Sequence, residues 1–264
     1  VPSLDPGGAE RVVITLANGF AARGHDVHFV VCRGGGALTE ELSDAVQYTD
    51  LATGGVLKSL PGLVRFLRRT RPDALLSTLP HANVVAVWAV DLARTPTTVV
   101  VREAGTFSKY SLEMPRLRRG LLRRLVALNY SRAGAVVSVS DGVARDLRTQ
   151  IGVRNHDMHV VANPIVNAAV VQGSKATADH PWMLQKGRDH EVPVVLGMGR
   201  LATIKRFDLL IEAVALCRRE RRVRLLILGE GSERTKLERL AAERGFGDDF
   251  SLPGFVANPF ALVR

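Results

Sequence analysis

The chain has 264 residues, of which 46% are hydrophobic and 23% are charged. This composition excludes an intrinsically disordered chain, and the presence of only two cysteines excludes a disulfide scaffold or a cysteine-rich zinc module. The formal net charge of +10 at pH 7 suits nucleic acid, an anionic membrane surface or an anionic substrate, and it does not choose among them.

No apolar run reaches the roughly 18 residues of a membrane-spanning helix, so we expect no transmembrane segment. Both cysteines, Cys32 and Cys217, lie in apolar patterns and are expected to be reduced core residues of a cytoplasmic protein. The length allows one large domain or two smaller ones.

Residues 1–167 alternate between helical and strand patterns. The opening segment Val1–Leu4 is typical of the tail of a strand, and an apolar stripe then recurs at helical spacing from Gly7 to a capping glycine, Gly24. The later elements are predicted as a strand at 27–32, a helix at 61–70, a strand at 74–77, a helix at 81–92, strands at 97–101 and 135–139, and a helix at 141–151 capped by Ser140.

Residues 168–192 have no periodicity and are predicted to be a linker. The alternation then resumes, with strands at 192–196, 223–228 and 250–252 and helices at 207–217 and 232–245. The strand runs are continuously apolar, which is typical of parallel strands buried on both faces. The sequence therefore predicts an α/β fold with a first domain at 1–167, the linker, and a second domain at 193–264.

Two strand-to-helix turns are candidate anion sites. Gly7 and Gly8 precede the first helix, where backbone N–H groups are free to bind a phosphate, and a plain tight turn is the alternative. In the second domain, Gly199 precedes Arg200 and Lys205, and two cations near a helix N-terminus favour a diphosphate. The alternatives there are a solvated basic turn and a dinucleotide fingerprint in which the next strand supplies a ribose-binding glutamate.

The next two strands of the second domain end in a glycine-rich turn, Gly229–Glu230–Gly231, and in a loop with Phe255 and Val256. Glu230 is the glutamate that would hold a ribose in the dinucleotide interpretation. Because the carboxyl ends of parallel strands share one edge of a sheet, we expect these loops to lie where ligands bind.

The motifs, and their order along the chain, resemble those of the family 4 retaining glycosyltransferases of bacterial cell-envelope polysaccharide biosynthesis. That family adopts the GT-B fold, which has two Rossmann-like, doubly wound parallel-sheet domains. The matching stretches are 7–11, 138–143, 163–164, 199–205, 228–234 and 252–256.

The resemblance implies that Arg200 and Lys205 bind the donor diphosphate, and that Gly7 and Gly8 face its phosphates and the acceptor. It implies that His81 contacts the transferred sugar, although a helix-capping residue is the simpler interpretation. Glu103, after the strand at 97–101, is a candidate acceptor contact. Nucleotide contacts are expected from Gly199, Gly229, Glu230, Gly231, Phe255 and Val256. The other six histidines share no ligand spacing, and no metal or cofactor is expected.

Two features of the family are not found in the chain: a glutamate pair in the second domain and a complete opening strand in the first. We therefore expect an internal fragment of a longer chain, inactive on its own, with its second domain cut near halfway. A central strand is flanked on both sides, so its loss would leave unpaired backbone in the sheet.

The basic residues are clustered. A helix-like stretch with several leucines contains Arg116, Arg118, Arg119, Arg123 and Arg124. A solvated helix face and a peripheral contact with an anionic membrane are the two interpretations. Nucleic acid is disfavoured because aromatic residues are only 5% of the chain and none lie among these arginines.

With the resemblance, the sequence predicts transfer of a sugar from a UDP-sugar to a glycan or lipid-linked acceptor, with retention, in the cytoplasm or at the inner face of the plasma membrane. A sugar-nucleotide epimerase of the same fold and a non-catalytic basic binding module are the alternatives.

Overall fold

The computed structural model describes residues 1–5, 7–36, 38–164, 166, 168–184 and 192–263. The chain forms two compact units, Val1–Ile165 and Val166–Arg264. Both units are of the α/β type, and each has its own parallel sheets and its own hydrophobic core.

The first unit contains six strands and six α-helices among the described residues. The strands are β1 (Val27–Val31), β2 (Val46–Asp50), β3 (Ala74–Thr78), β4 (Thr98–Glu103), β5 (Ala135–Ser138) and β6 (Met158–Val160). The helices are α1 (Gly8–Ala21), α2 (Leu60–Thr70), α3 (Pro80–Ala93), α4 (Phe107–Tyr110), α5 (Arg116–Arg132) and α6 (Asp141–Asp146), the last continued by a π-helical turn at Leu147–Ile151.

The second unit contains three strands and four α-helices among the described residues. The strands are β7 (Val194–Met198), β8 (Arg224–Leu228) and β9 (Phe250–Gly254). The helices are α7 (Ala168–Ser174), α8 (Pro181–Leu184), α9 (Phe207–Cys217) and α10 (Arg234–Glu243), and 3-10 turns lie at Thr203–Lys205 and Pro259–Leu262.

In the first unit all strand pairs are parallel. One sheet has the order β1-β2 and the other the order β3-β4-β5-β6. Val101 of β4 and Val136 of β5 are fully buried beneath Val126 and Tyr130 of α5, so the larger sheet is covered by helices as its apolar runs predict. The backbone of Val1 hydrogen-bonds to β1 and to the residue after it, as expected of the tail of a strand.

Strand β2 was not predicted from the sequence. Its residues are Val-Gln-Tyr-Thr-Asp, and only Val46 is buried, so neither a continuous apolar run nor strict alternation marks it. Strand β4 is also longer than predicted, because the polar residues Arg102 and Glu103 continue the ladder opposite Thr78 and Ser138.

In the second unit β8 is the central strand, and all five of its residues are buried. Leu225 and Ile227 face the helices α9 and α10, whereas Leu226 and Leu228 pack with residues outside the βαβ pattern. Both faces of this sheet are therefore covered.

The second face of this sheet is covered by the segment predicted to be a linker. Instead of an irregular connection, residues 168–184 contain α7 and α8, and 185–191 lie outside the described residues. Trp182 and Met183 pack against the sheet, and the side chain of Asn258 donates a hydrogen bond to the carbonyl of Gly173 at 2.9 Å. Burial of these apolar groups explains why a stretch without periodicity is ordered here and belongs to the second unit.

One cysteine prediction is wrong. Cys32 is buried, but Cys217 is exposed. The buried stripe of α9 passes through Ile211 and Val214, and the next position on that stripe is occupied by Arg218, whose guanidinium lies 4.8 Å from the ring centroid of Phe246. In the part of the chain that the structure describes, no helix is both long and apolar enough to cross a bilayer.

Candidate functional site

The three loops that follow β7, β8 and β9 are packed against one another at the carboxyl edge of the second sheet. The amide of Leu201 donates to the carbonyl of Glu230 at 2.8 Å, and the amide of Gly229 donates to the carbonyl of Gly254 at 2.8 Å. The structure thus brings together the loops that the sequence places at a ligand-binding edge.

The glycines of this edge are required by the packing of the loops. A Cβ at Gly229 would overlap the carbonyl oxygen of Gly199, and a Cβ at Gly231 would overlap that of Leu201. Both glycines also have positive φ, at +139° and +159°. Side chains at these positions are therefore excluded by backbone atoms of the neighbouring loop.

Arg200 and Lys205 are two exposed cations on the loop between β7 and α9. The stem of Lys205 lies beside Gly199, with its Cε 3.6 Å from where a Cβ on that glycine would stand. Neither cation forms an ion pair with a carboxylate among the described residues, whereas the adjacent Arg206 binds Asp208 at 2.9 Å. The positive charge of the first two is therefore available to an anion.

The predicted nucleotide residues after β8 and β9 differ in exposure. Phe255 is 64% exposed, and Val256 packs against the core beneath the sheet. The carboxylate of Glu230 does not stand free, because it pairs with Arg234 at 3.3 Å and lies against Gly254.

In the first unit, α1 begins at Gly8, and Gly7 is extended. The carboxylate of Glu10 folds back against Gly7, where a Cβ would overlap it. An internal carboxylate therefore lies at the helix end for which the sequence predicts a phosphate.

His81 lies half-buried in the first turn of α3, two residues after Leu79, which has a φ of +78°. Burial lowers the pKa of His81, and the positive charge of Arg118 lowers this pKa further. The imidazole is therefore neutral at pH 7 and is able both to donate and to accept a hydrogen bond.

Glu103 ends β4 and is buried in a hydrogen-bonded group. Its Oε2 accepts from the hydroxyl of Tyr130 at 2.8 Å, and that hydroxyl accepts from Nδ2 of Asn83 at 2.7 Å. Burial raises the pKa of Glu103 to about 7, although the hydrogen bond from Tyr130 and the neighbouring backbone amides oppose the rise. Oδ1 of Asn83 is buried without a partner among the described residues.

Arg102 extends this buried polar group along the carboxyl edge. Its guanidinium donates to Oγ1 of Thr78 at 3.0 Å and to Oδ1 of Asn163, so three strand ends are connected. Thr78, Asn83 and Tyr130 were not predicted from the sequence, although a polar residue such as asparagine in an apolar pattern is the signal that points to such a network. Among the described residues, no group of three or more histidine, cysteine or acidic side chains is placed to hold a metal.

Solved structures with a similar architecture identify the fold of the chain. The HepE protein (Alr3699) of Anabaena, in complex with UDP, is 19% identical and has a TM-score of 0.72, covering 99% of this chain and 69% of its own. A complex of HepE with UDP and glucose is 20% identical, with a TM-score of 0.73 and coverage of 99% and 70%. These matches show that the chain has the GT-B fold of two Rossmann-like domains, as predicted.

Two family models match the chain. The model of Glycosyltransferase Family 4 covers residues 6–167, and that of Glycosyl transferases group 1 covers residues 181–263. The chain belongs to glycosyltransferase family 4, which confirms the resemblance seen in its motifs.

Curated relatives agree with this family. The lipopolysaccharide core biosynthesis glycosyltransferase LpsE of Rhizobium meliloti is 28% identical over 246 residues, which are 90% of this chain and 61% of LpsE. The alpha-D-kanosaminyltransferase of Streptomyces kanamyceticus is 27% identical over 173 residues, which are 64% of this chain and 40% of that protein. The chain thus spans about three fifths or less of the length of these relatives.

Proposed function

We propose that the protein is a retaining glycosyltransferase that moves a sugar from a UDP-sugar to a glycan or lipid-linked acceptor. The observation that carries the proposal is the pair Arg200 and Lys205, two exposed cations beside a sheet edge made of glycine loops. Family membership supports the class of reaction, and HepE, which has the same fold, binds UDP and glucose in its solved structure.

In this reaction the bond between the sugar and the diphosphate breaks, and negative charge develops on the departing oxygen. Arg200 and Lys205 would stabilise that charge electrostatically, since cations already in place need no rearrangement during the reaction. Arg200 presents several donors in one plane, and Lys205 presents a compact charge. We propose that these side chains balance the diphosphate without a metal ion or another cofactor.

The nucleoside is proposed to lie across the loops after β8 and β9. Phe255 is exposed at this edge, and the backbone of Phe255 and Val256 would receive the nucleobase. The packed turns at Gly199, Gly229 and Gly231 would let their backbone approach the ribose and phosphates, with Glu230 beside them.

The first unit is proposed to supply the contacts to the sugar and the acceptor. His81 is neutral at pH 7, because its pKa is lowered by burial and by Arg118, and would share a hydrogen bond with the transferred sugar. Glu103 has a pKa of about 7, but its carboxyl is buried and hydrogen-bonded to Tyr130, so it would exchange a proton with an acceptor hydroxyl only through that network. At the start of α1, the backbone N–H groups near Gly7 and Gly8 would bind an anion in place of the Glu10 carboxylate.

Helix α5 supports a lipid-linked acceptor at the inner face of the plasma membrane. Leu117, Leu121 and Leu128 are 89%, 60% and 65% exposed, and their spacing of four and seven residues places them on one face of the helix. Arginines flank this face, among them the exposed Arg116 and Arg118. Exposed leucines between arginines are typical of a helix that lies on an anionic membrane.

Binding of UDP by the double variant Arg200→Ala, Lys205→Ala tests the donor site. Each charge-assisted contact contributes about 1.5 kcal/mol, so we expect about a hundredfold weaker binding by isothermal titration calorimetry. Arg239→Ala, which removes another exposed arginine of the second unit, is the control and should bind as before.

Two results would contradict the proposal. One is an unchanged affinity of the double variant for UDP. The other is conversion of a UDP-sugar to its epimer in the absence of any acceptor, which would assign the chain to an epimerase of the same fold.

A further inference from the structure

Arg234, the first residue of α10, connects separate parts of the carboxyl edge of the second unit. Its Nη1 and Nη2 both donate to the carbonyl oxygen of Leu252 in β9, at 3.0 and 2.8 Å. The same guanidinium pairs with Glu230 at 3.3 Å and with Glu238 at 3.2 Å. With 30% of its side chain exposed, Arg234 is shielded from solvent more than a typical surface arginine.

The carbonyl that Arg234 binds lies at an irregularity of the sheet. Leu226 of β8 pairs with Ser251, but Leu228 pairs with Gly254, so β9 carries an extra residue between these two positions. Leu252 lies in this bulge, directly before a proline that has no N–H to donate. A bulge interrupts the ladder and redirects the strand, and bulges are common beside active sites.

The strand continues from the bulge to the proposed nucleobase loop. Gly254 has a φ of +94°, and Phe255 follows it at the exposed edge. The space above Gly254 is filled by the carboxylate of Glu230, whose Oε1 lies 2.5 Å from where a Cβ on that glycine would stand. Arg234 therefore binds both the carbonyl at the bulge and the side chain that covers the turn.

We infer that Arg234 is a positioning residue for the nucleobase half of the donor site, and that it acts by fixing the bulge at Leu252 and so the direction in which Phe255 and Val256 leave β9. The inference rests on the proposed function. The diphosphate half of the site depends on the loop after β7. Among the described residues, no hydrogen bond or ion pair joins the side chain of Arg234 to that loop.

This division gives a test in which two probes bind to different halves of the site. Affinities for UDP and for inorganic pyrophosphate would be measured by isothermal titration calorimetry on the protein and on Arg234→Met. We expect UDP to bind about tenfold more weakly to the variant, because the bulge carbonyl loses its charged donor, and pyrophosphate to bind as before. Arg234→Lys keeps the charge but not the paired N–H donors, and should give an intermediate affinity for UDP.

Arg239→Met is the matched control, because Arg239 is also on α10 and also pairs with a glutamate four residues away. No hydrogen bond or ion pair among the described residues joins its side chain to the loop after β8 or to the loop after β9. Arg239→Met should leave both affinities unchanged. If Arg234→Met does not fold, Arg234→Lys allows the same comparison of the two probes.

The outcomes separate this inference from the function on which it rests. If Arg234→Met loses affinity for UDP and for pyrophosphate equally, the role of Arg234 is merely structural. If its affinity for UDP is unchanged, Arg234 has no role in binding. Either result would overturn the inference while the donor site stands. Failure of the unsubstituted protein to bind UDP would overturn the proposed function and the inference together.

Discussion

The buried carboxyl group of Glu103 makes the stability of the first unit depend on pH in a direction that follows from its environment. Burial raises the pKa of this group from an ordinary 4.5 to about 7, so the folded protein holds the proton more tightly than the unfolded chain does. The stabilising effect of that proton is fully present below about pH 4.5 and is lost as the pH rises through 7. A pKa difference of this size corresponds to about 3 kcal/mol.

The substitution Glu103→Gln removes this titration and keeps an oxygen that accepts from Tyr130. Relative to the parent, the free energy of unfolding of the variant should rise by about 3 kcal/mol between pH 4.5 and pH 8. The measurement is urea unfolding at a series of pH values, followed by the fluorescence of Trp88 in a Trp182→Phe background. Trp88 packs against the core of the first unit and Trp182 lies in the second, so the signal reports the first unit alone.

Glu40→Gln is the matched control, because Glu40 also lies in the first unit but its side chain is exposed. Its difference from the parent should not vary with pH over this range. If the difference between Glu103→Gln and the parent is equally independent of pH, Glu103 has the same pKa in the folded and unfolded states, and the reasoning from burial is refuted.

The second unit and the proposed membrane contact give two further predictions. Gly231→Ala should lower the free energy of unfolding, measured by calorimetry, by about 2–4 kcal/mol, because its Cβ would overlap backbone atoms. Gly54→Ala is its control and should have little effect, because a Cβ at Gly54 meets open space. The double variant Leu117→Ser, Leu121→Ser should bind vesicles containing phosphatidylglycerol at least tenfold more weakly in flotation assays. Leu92→Ser, at an exposed leucine of α3, is its control, and equal binding by all three proteins would leave α5 as a solvated surface.

The loops of the candidate site in the second unit could be predicted from sequence because their signals are local. Arg200 and Lys205 lie five positions apart in one turn, and the glycines of the next turn lie two apart, so each motif falls within a short window. The apolar run of β8 is equally local, and the strand was predicted within one residue of its observed start.

The polar network of the first unit could not be found in this way. Tyr130 is 27 positions from Glu103 and 47 from Asn83, and no periodicity relates residues at such separations. For the same reason the segment around Trp182 looked like a linker, since its order comes from packing against strands that follow much later in the chain. Tertiary contacts, rather than local propensity, decide these two regions.

The packed glycine turns also limit how this site can change during evolution. Gly229 and Gly231 face backbone carbonyl groups, which no second substitution can shorten, so a larger residue there has no local compensating partner. Gly254 is opposed by the side chain of Glu230, but its φ of +94° would strain a larger residue even with that space cleared. A selection for suppressors should therefore recover true revertants at all three glycines.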